Sequence, residues 1–235
     1  MRRFFQNAAA VGVLDGYEIR LDAEPLRHLK TKEPFILPTQ ALASDVAAEW
    51  NETDENFALS DVPLTCFLMG AQDLTLEQRS AVMEKILDCA CCDTVCCFAE
   101  SPAGLCALQQ EKWLPVVQKI NAVGGDFHVF ENLLSARLTD KNKLFLQGRI
   151  NAFSNYTLAC FQQLCAVYSS VVLTLGVMHG FLSPDEAFDL SVLEEMFQNR
   201  SWPTDDEAVE RRESKRRAAL FFAGIMRKLS KEKER

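Results

Sequence analysis

Histidines and nucleotide-binding glycine patterns are scarce in this sequence of 235 residues. Only three histidines occur, His28, His128 and His179, and they fall on different predicted elements. Such isolated histidines favour surface or capping roles over a metal-ligand set or a nucleophile and base pair. The neighbouring Gly124 and Gly125 fit neither a Walker loop nor a dinucleotide-binding loop. We therefore expect no enzymatic activity and no cofactor.

Basic residues are too few to neutralise a nucleic acid. The chain has 25 Lys and Arg against 33 Asp and Glu, which gives a net charge of −8. A nucleic-acid partner requires a basic face, so we expect none. The charge is unevenly distributed, because residues 211–235 hold ten Lys and Arg and only three Asp and Glu. The sequence therefore combines an acidic body with a basic last helix.

Charged residues are missing altogether from residues 150–184. Within that run, residues 156–178 are long enough to span a bilayer. However, they contain Gln162, Gln163 and several hydroxyl side chains, and no basic anchor follows them. This composition predicts a central buried helix and no stable membrane insertion.

The nine cysteines are odd in number and irregularly spaced, which is typical of reduced thiols in an intracellular compartment. Cys89 and Cys92 form a C-x-x-C pattern, and Cys96 and Cys97 follow it. The first pair lies at the end of a predicted helix, where the helix dipole disfavours a thiolate, and the second is not spaced like a zinc knuckle. Small buried apolar residues are the favoured interpretation, with a metal- or thiol-dependent protein as the alternative.

Residues 3–38 contain short apolar runs separated by turn signals, among them Asp15-Gly16, which is typical of a hairpin. Helical periodicity then predicts helices at about 39–50, 75–92, 133–153, 155–178, 184–199 and 205–230. Short strands are expected at 94–98 and 127–130. The pattern predicts an α+β fold with two domains, a mixed domain of antiparallel β-meander and helices at residues 1–132 and an all-α helical bundle at residues 133–235.

The helix predicted at 184–199 has the clearest start in the sequence. Ser183, Pro184 and Glu186 fit a capping box with proline at the first helical position. Apolar residues then recur at spacings of three and four, which predicts one buried stripe beside an acidic outer edge. That edge contains Glu194 and Glu195.

Short motifs along the chain match a known pattern in order and spacing. They are Leu37-Pro38-Thr39, Ala48-Glu49-Trp50, Val62-Pro63-Leu64-Thr65, Asp93-Thr94-Val95-Cys96, Trp113-Leu114-Pro115, the run 171–176, and Ser191 to Gln198 with Trp202 nearby. Together they resemble the assembly chaperones that bind the alpha subunit of the F1 sector of ATP synthase. The chain departs from that family at Cys66, where a basic residue is expected, and at Leu114, where an acid is expected.

The resemblance implies a chaperone that binds unassembled alpha subunit and prevents its aggregation before it pairs with beta. It also implies a protein that is monomeric when free and resides in the mitochondrial matrix, or in the bacterial cytoplasm if the source is prokaryotic. Partner binding is expected at Glu194, Glu195, Gln198 and Trp202. Structural roles are expected for the remaining motif residues, which are Glu49, Trp50, Pro63, Leu64, Thr65, Asp93 and Trp113.

Two alternatives stay open at the level of sequence. The glutamates of the acidic edge can be a solvated helix face without a partner. The family's basic residues are missing at Cys66 and in the run Asp22-Ala23-Glu24. Their absence also allows a related protein that uses the same fold as a scaffold in another assembly.

Overall fold

The computed structural model describes residues 2–131, 136–199 and 206–230 of the chain. Its contacts divide the chain into two compact units, the first comprising Met1–Thr75 with Arg227–Arg235 and the second Leu76–Met226. The predicted domain boundary at 132 and 133 falls inside the second unit, because helices that precede it pack on helices that follow it. Whether residues 1–132 form a separate domain stays a prediction.

The first unit contains a small antiparallel sheet at the N-terminus. Its strands are β1 (Ala8–Val13), β2 (Gly16–Leu21), β3 (Glu24–Pro25) and β4 (Ile36–Leu37). The central strand β2 pairs with β1, β3 and β4, so the predicted meander is present with shorter third and fourth strands. Residues 26–29 lie outside these strands, and Arg27 there forms an antiparallel bridge to Pro34.

Gly16 is required at the hairpin between β1 and β2. Its φ is +142°, a value that side chains other than glycine rarely adopt. A Cβ atom there would approach the backbone oxygen of Leu37 to 2.5 Å. The turn dipeptide Asp15-Gly16 therefore both closes the hairpin and lets β4 come close.

Two helices lie wholly within the first unit. They are α1 (Gln40–Asn51) and α2 (Pro63–Gln72), with a short 3-10 turn at Leu59–Asp61 between them. The hydroxyl of Thr39 accepts from the backbone N–H of Leu42 and so caps the helix that was predicted at about 39–50. Leu42, Val46 and Trp50 then form the buried stripe of α1, and this helix packs on β1 and β2.

The described part of the second unit is helical. Its helices are α3 (Leu76–Cys91), α4 (Ala103–Lys112), α5 (Leu114–Ala122), α6 (Asp140–Asn151), α7 (Asn155–Tyr168), α8 (Val171–Met178), α9 (Pro184–Ser191), α10 (Leu193–Gln198) and α11 (Asp206–Ser230), the last of which enters the first unit at Arg227. A small sheet followed by helices confirms the predicted α+β class.

Several predicted elements differ in detail. The run at 94–98 is a 3-10 turn at Thr94–Cys96, and only a single parallel bridge joins Cys97 to Phe130, so neither predicted strand joins the sheet. The helix predicted at 155–178 is broken at Ser169, whose φ of +51° is left-handed. The helix predicted at 184–199 is broken at Val192.

The charge-free run forms the centre of the second unit. The first six residues of α8, from Val171 to Gly176, are all buried, and α8 packs on α5, α7 and α9. Across the described ranges, no helix combines the length and the apolar character needed to cross a membrane.

Candidate functional site

Helix α10 carries three of the four predicted partner-binding residues, and local interactions fix where the preceding helix α9 begins. The N–H of Glu186 donates to the hydroxyl of Ser183 at 3.2 Å, and the N–H of Ser183 donates to the Glu186 carboxylate at 2.7 Å. This reciprocal pair confirms the predicted capping box. The chain then turns at Val192, and α10 presents Glu194, Glu195 and Gln198 from one short helix.

Glu194 and Glu195 lie in different environments. Glu194 is half-buried and accepts from Nε2 of Gln109 at 2.5 Å, while the amide oxygen of Gln109 accepts from the N–H of Ala99 at 2.8 Å. Burial raises the pKa of the Glu194 carboxyl, and the hydrogen bond from Gln109 acts in the opposite direction. Glu194 therefore connects α10 to α4 and to the chain that precedes α4.

Glu195 lies on the outside of α10. Its side chain is 47% exposed and forms an ion pair with Arg212 of α11, with Oε1 and Nη1 separated by 2.9 Å. The same Arg212 nitrogen lies 3.2 Å from the sulfur of Met196. Gln198 is exposed one turn further along α10, whereas Trp202 lies outside the described residues.

A groove of about 480 Å³ runs beside α10. Its apolar lining and its charged rim come from α4, α9, α10, α11 and the turn at residue 192, and the rim residues are Asp189, Arg212, Glu213 and Arg216. The apolar lining residues are Leu108, Val192, Leu193, Met196 and Phe197. A concave apolar surface with charges of both signs at its rim is suited to a protein partner that contributes apolar side chains.

Arg216 holds one wall of this groove in place. Its guanidinium donates to the carboxylate of Asp185 at 2.7 Å and also to that of Asp189. The guanidinium carbon Cζ lies 4.8 Å from the centre of the Phe188 ring. These contacts fasten α11 to α9 through one planar cation. The groove is therefore bordered by an arginine whose orientation is already fixed.

The motif residues of the first unit secure the start of α2. The carboxylate of Glu49 accepts from the N–H of Leu64 at 2.6 Å, and from both the N–H and the hydroxyl of Thr65 at 2.9 and 2.6 Å. The indole of Trp50 donates to the same hydroxyl at 2.9 Å. Pro63 occupies the first turn of α2, where a missing N–H is harmless. These residues join α1 to α2.

Asp93 and Trp113 have comparable roles in the second unit. The buried carboxylate of Asp93 accepts from the Ser170 hydroxyl and from the N–H groups of Val171 and Val172, at 2.7 to 2.9 Å. It therefore closes the N-terminus of α8, and burial raises its pKa to about 6 against the effect of those hydrogen bonds. The indole of the fully buried Trp113 donates to the backbone oxygen of Leu190 at 3.0 Å.

Three thiols of the cysteine cluster lie in surroundings that favour their protonated form. Burial raises the pKa of Cys96, and partial desolvation raises the pKa of Cys92 and Cys97, where neighbouring thiols and acids add to the effect. These shifts favour the protonated thiol over the reactive thiolate. Cys92 is exposed and Cys97 is half-buried, so the predicted buried apolar role applies to Cys96 and not to the whole cluster. Over the described part of the chain, no group of three or more His, Cys, Asp or Glu is placed to hold a metal ion.

Sequence reasoning missed the residues that orient the acidic edge. Gln109 is 85 positions from Glu194, and Arg212 is 17 positions from Glu195, so local periodicity gives no sign of either pair. A signal for the arginines was present, since Arg212 and Arg216 are four residues apart and share one face of α11. That face could have been paired with the acidic face of α9 and α10.

Comparison with known proteins finds a matching family and similar sequences. The model of the family described as ATP12 chaperone protein matches residues 2–121. The mitochondrial protein atp12 of Schizosaccharomyces pombe is 21% identical over 224 residues, which cover 89% of this chain and 76% of that protein.

Solved structures show the same fold. Atp12 from Paracoccus denitrificans is 26% identical with a TM-score of 0.87, covering 96% of this chain and 98% of that chain. A mutant of the same Paracoccus denitrificans protein gives a TM-score of 0.89 at 25% identity, covering 97% of each chain.

Proposed function

Because this chain belongs to the ATP12 chaperone protein family, a family of chaperones for F1-ATPase assembly, we propose that it binds unassembled alpha subunit of F1. Binding would keep that subunit from aggregating until it pairs with beta. A subunit awaiting its neighbours exposes apolar interface surface, and a chaperone must cover that surface reversibly.

The groove beside α10 is the observation that supports this proposal most. Its apolar lining offers contact area to an exposed client interface, and its rim charges offer steering and orientation. The Glu195–Arg212 pair is solvent-exposed on the glutamate side, so little free energy is needed to exchange one partner for a client group. A reversible contact is therefore compatible with this surface.

The predicted binding residues divide into two roles in this proposal. Glu195 and Gln198 contact the client directly, since both are exposed on α10. Glu194 supports them by holding α10 against α4 through Gln109. Trp202 is retained as a client contact on the basis of the family resemblance.

The remaining expectations form part of the same proposal. The protein acts without catalysis or a cofactor, and it neither binds nucleic acid nor inserts into a membrane. It is a monomer when free of client. We place it in the mitochondrial matrix, or in the cytoplasm of a bacterial source.

The proposal is tested by isolating tagged protein from its own cells and identifying what is bound to it. Recovery of free alpha subunit without the assembled F1 head supports the proposal. Recovery of a different assembly, without any ATP synthase subunit, would instead favour the scaffold alternative and would reject the F1 client.

The acidic edge is tested with Glu195→Gln, which removes the charge at nearly constant size. Purified alpha subunit is diluted from urea, and light scattering measures its aggregation. We expect about fivefold weaker protection, as for loss of one rim charge pair, and a change in unfolding free energy below about 1 kcal/mol.

Glu84→Gln is the matched control, because Glu84 is exposed on α3 and does not line the groove. This control is expected to protect alpha subunit as well as the unaltered protein does. Equal protection by Glu195→Gln and by the control would remove Glu195 from the client contact.

A further inference from the structure

Strand β1 forms an edge of the sheet, and its hydrogen-bonding direction alternates along the strand. It pairs only with β2 among the described strands, in a register that sets Ala8 opposite Leu21 and Gly12 opposite Tyr17. The backbone bond from Asp22 to Asn7 fixes which residues face inward. Ala9, Val11 and Val13 therefore bond to β2, while Ala8, Ala10 and Gly12 direct their N–H and C=O groups outward.

An independent contact supports this alternation. The N–H of Leu26 donates to the backbone oxygen of Ile19 at 2.7 Å, so Ile19 directs that oxygen away from β1. Ile19 is the residue opposite Ala10. In an antiparallel ladder, the two residues of a non-hydrogen-bonded pair direct their backbone N–H and C=O groups away from each other. The backbone groups of Ala10 therefore lie on the open edge.

The first outward position is already occupied by a side chain. Asn51, the last residue of α1, accepts from the N–H of Ala8 at 2.7 Å and donates to its oxygen at 2.8 Å. The amide thus imitates one residue of a neighbouring strand. For Ala10 and Gly12, the described part of the chain supplies no such partner, and four backbone groups remain available at this edge.

The open edge also lacks the features that protect such strands. The sequence of β1 is AAAVGV, which contains neither a charge nor a proline, and the adjoining turn residue Leu14 is 99% exposed. Natural edge strands are usually shielded by charges, prolines or bulges, because unpaired backbone groups attract other strands. Gly12 has no side chain to hinder an approaching backbone.

We propose that β1 binds an extended segment of the client by adding it to the sheet as a further strand. Ala10 and Gly12 supply the backbone donors and acceptors, and the segment carries small or apolar side chains. This mode of binding recognises an extended backbone more than a particular sequence. The proposal rests on the proposed function, since the occupant is a segment of the unassembled alpha subunit.

The size of the edge favours a client segment over a second copy of this chain. A strand of six residues is about 20 Å long, and only two of its outward positions are open. Such a contact is far smaller than the roughly 1,200 Å² buried by a stable specific interface. It suffices for a client that is also bound elsewhere on the same chain, because the second contact then forms at high effective concentration.

Residue-resolved amide exchange tests the proposal in the unaltered protein. In the free protein, the amides of Ala10 and Gly12 are expected to exchange quickly, and those of Ala9 and Val11 slowly. Addition of purified alpha subunit should slow Ala10 and Gly12 at least tenfold. If alpha subunit binds while these two amides exchange as before, the strand proposal is overturned and the proposed function stands.

A second test uses Ala10→Pro, which removes the outward N–H and obstructs a neighbouring strand while leaving the bonds of Ala9 and Val11 to β2. Ala10→Ser is the control, because it keeps the N–H. We expect at least tenfold weaker binding of alpha subunit for the proline variant only, at an unchanged urea midpoint.

Other results of these tests have distinct meanings. Absence of alpha-subunit binding by the unaltered protein overturns the proposed function and this occupant together. Concentration-dependent dimers that disappear in Ala10→Pro, measured by sedimentation, would overturn the client segment in favour of a second copy.

Discussion

Glu49 and Asp93 hold a helix N-terminus in the first and the second unit respectively, but in different surroundings. Glu49 is half-buried and receives its hydrogen bonds from residues 15 and 16 positions away. Asp93 is fully buried and receives three of its bonds from residues 77 to 79 positions away. The cap formed by Glu49 is therefore local in sequence and partly exposed to solvent, whereas the cap formed by Asp93 is long-range and fully buried. Burial makes the Asp93 cap contribute more to the free energy of unfolding, and it makes that contribution more sensitive to pH.

Asp93→Ala should produce the largest effect on stability. The substitution leaves the Ser170 hydroxyl and the N–H groups of Val171 and Val172 buried without their acceptor. Loss of such a buried network costs about 3 kcal/mol or more. Urea unfolding at pH 7 measures the change, with Asp88→Ala as a control on the exposed face of α3. A loss below 1 kcal/mol would show that water replaces the carboxylate.

Titration should reveal the burial of Asp93 directly. The folded state holds its proton up to about pH 6, whereas the ordinary pKa is 3.8. Between these values the folded protein binds more protons than the unfolded chain, so the contribution of Asp93 to stability falls as pH rises from 4 to 6. The fall is about 3 kcal/mol and is nearly complete at about pH 7, one unit above the folded pKa.

Comparison with Asp93→Asn isolates this titration from the other ionisable groups. Urea unfolding of both proteins at pH 4, 5, 6 and 7 gives the difference in unfolding free energy. As pH rises, the unaltered protein should lose stability relative to Asp93→Asn. A difference that stays constant over this range would mean that Asp93 ionises normally in the folded state.

Glu49→Ala should have a smaller effect than Asp93→Ala. The N–H groups of Leu64 and Thr65 lie at the first turn of α2, where water can reach part of the site once the carboxylate is removed. The loss expected for a helix cap of this kind is about 1–2 kcal/mol. Urea unfolding provides the measurement, with Glu52→Ala, on an exposed residue just after α1, as the control. An effect as large as that of Asp93→Ala would erase the distinction between the two units.

The sequence was informative for several interactions that are short in range. The Ser183 and Glu186 box and the Asp15-Gly16 hairpin both involve residues within three positions, and each was predicted correctly. The family resemblance predicted structural roles for Glu49, Asp93 and Trp113, without indicating what each one binds.

Long-range partners and unusual backbone conformations could not be derived from the sequence. Ser169 adopts a left-handed conformation that serines rarely use, so a single long helix was predicted where α7 and α8 meet. Glu194 was expected to be at the surface with Glu195, yet tertiary packing turns it towards Gln109. The open edge of β1 depends on the pairing register, which a strand pattern alone does not define.

The separation in sequence between Asp93 and its hydrogen-bond partners has a consequence for synthesis on the ribosome. Val171 follows Asp93 by 78 residues, which corresponds to roughly 4 to 16 seconds of translation at ordinary rates. A similar time passes between the synthesis of Trp113 and that of Leu190, which lies 77 residues later. Both side chains are fully buried in the finished protein. Their hydrogen bonds to Val171 and Leu190 can therefore form only after most of the chain has been synthesised.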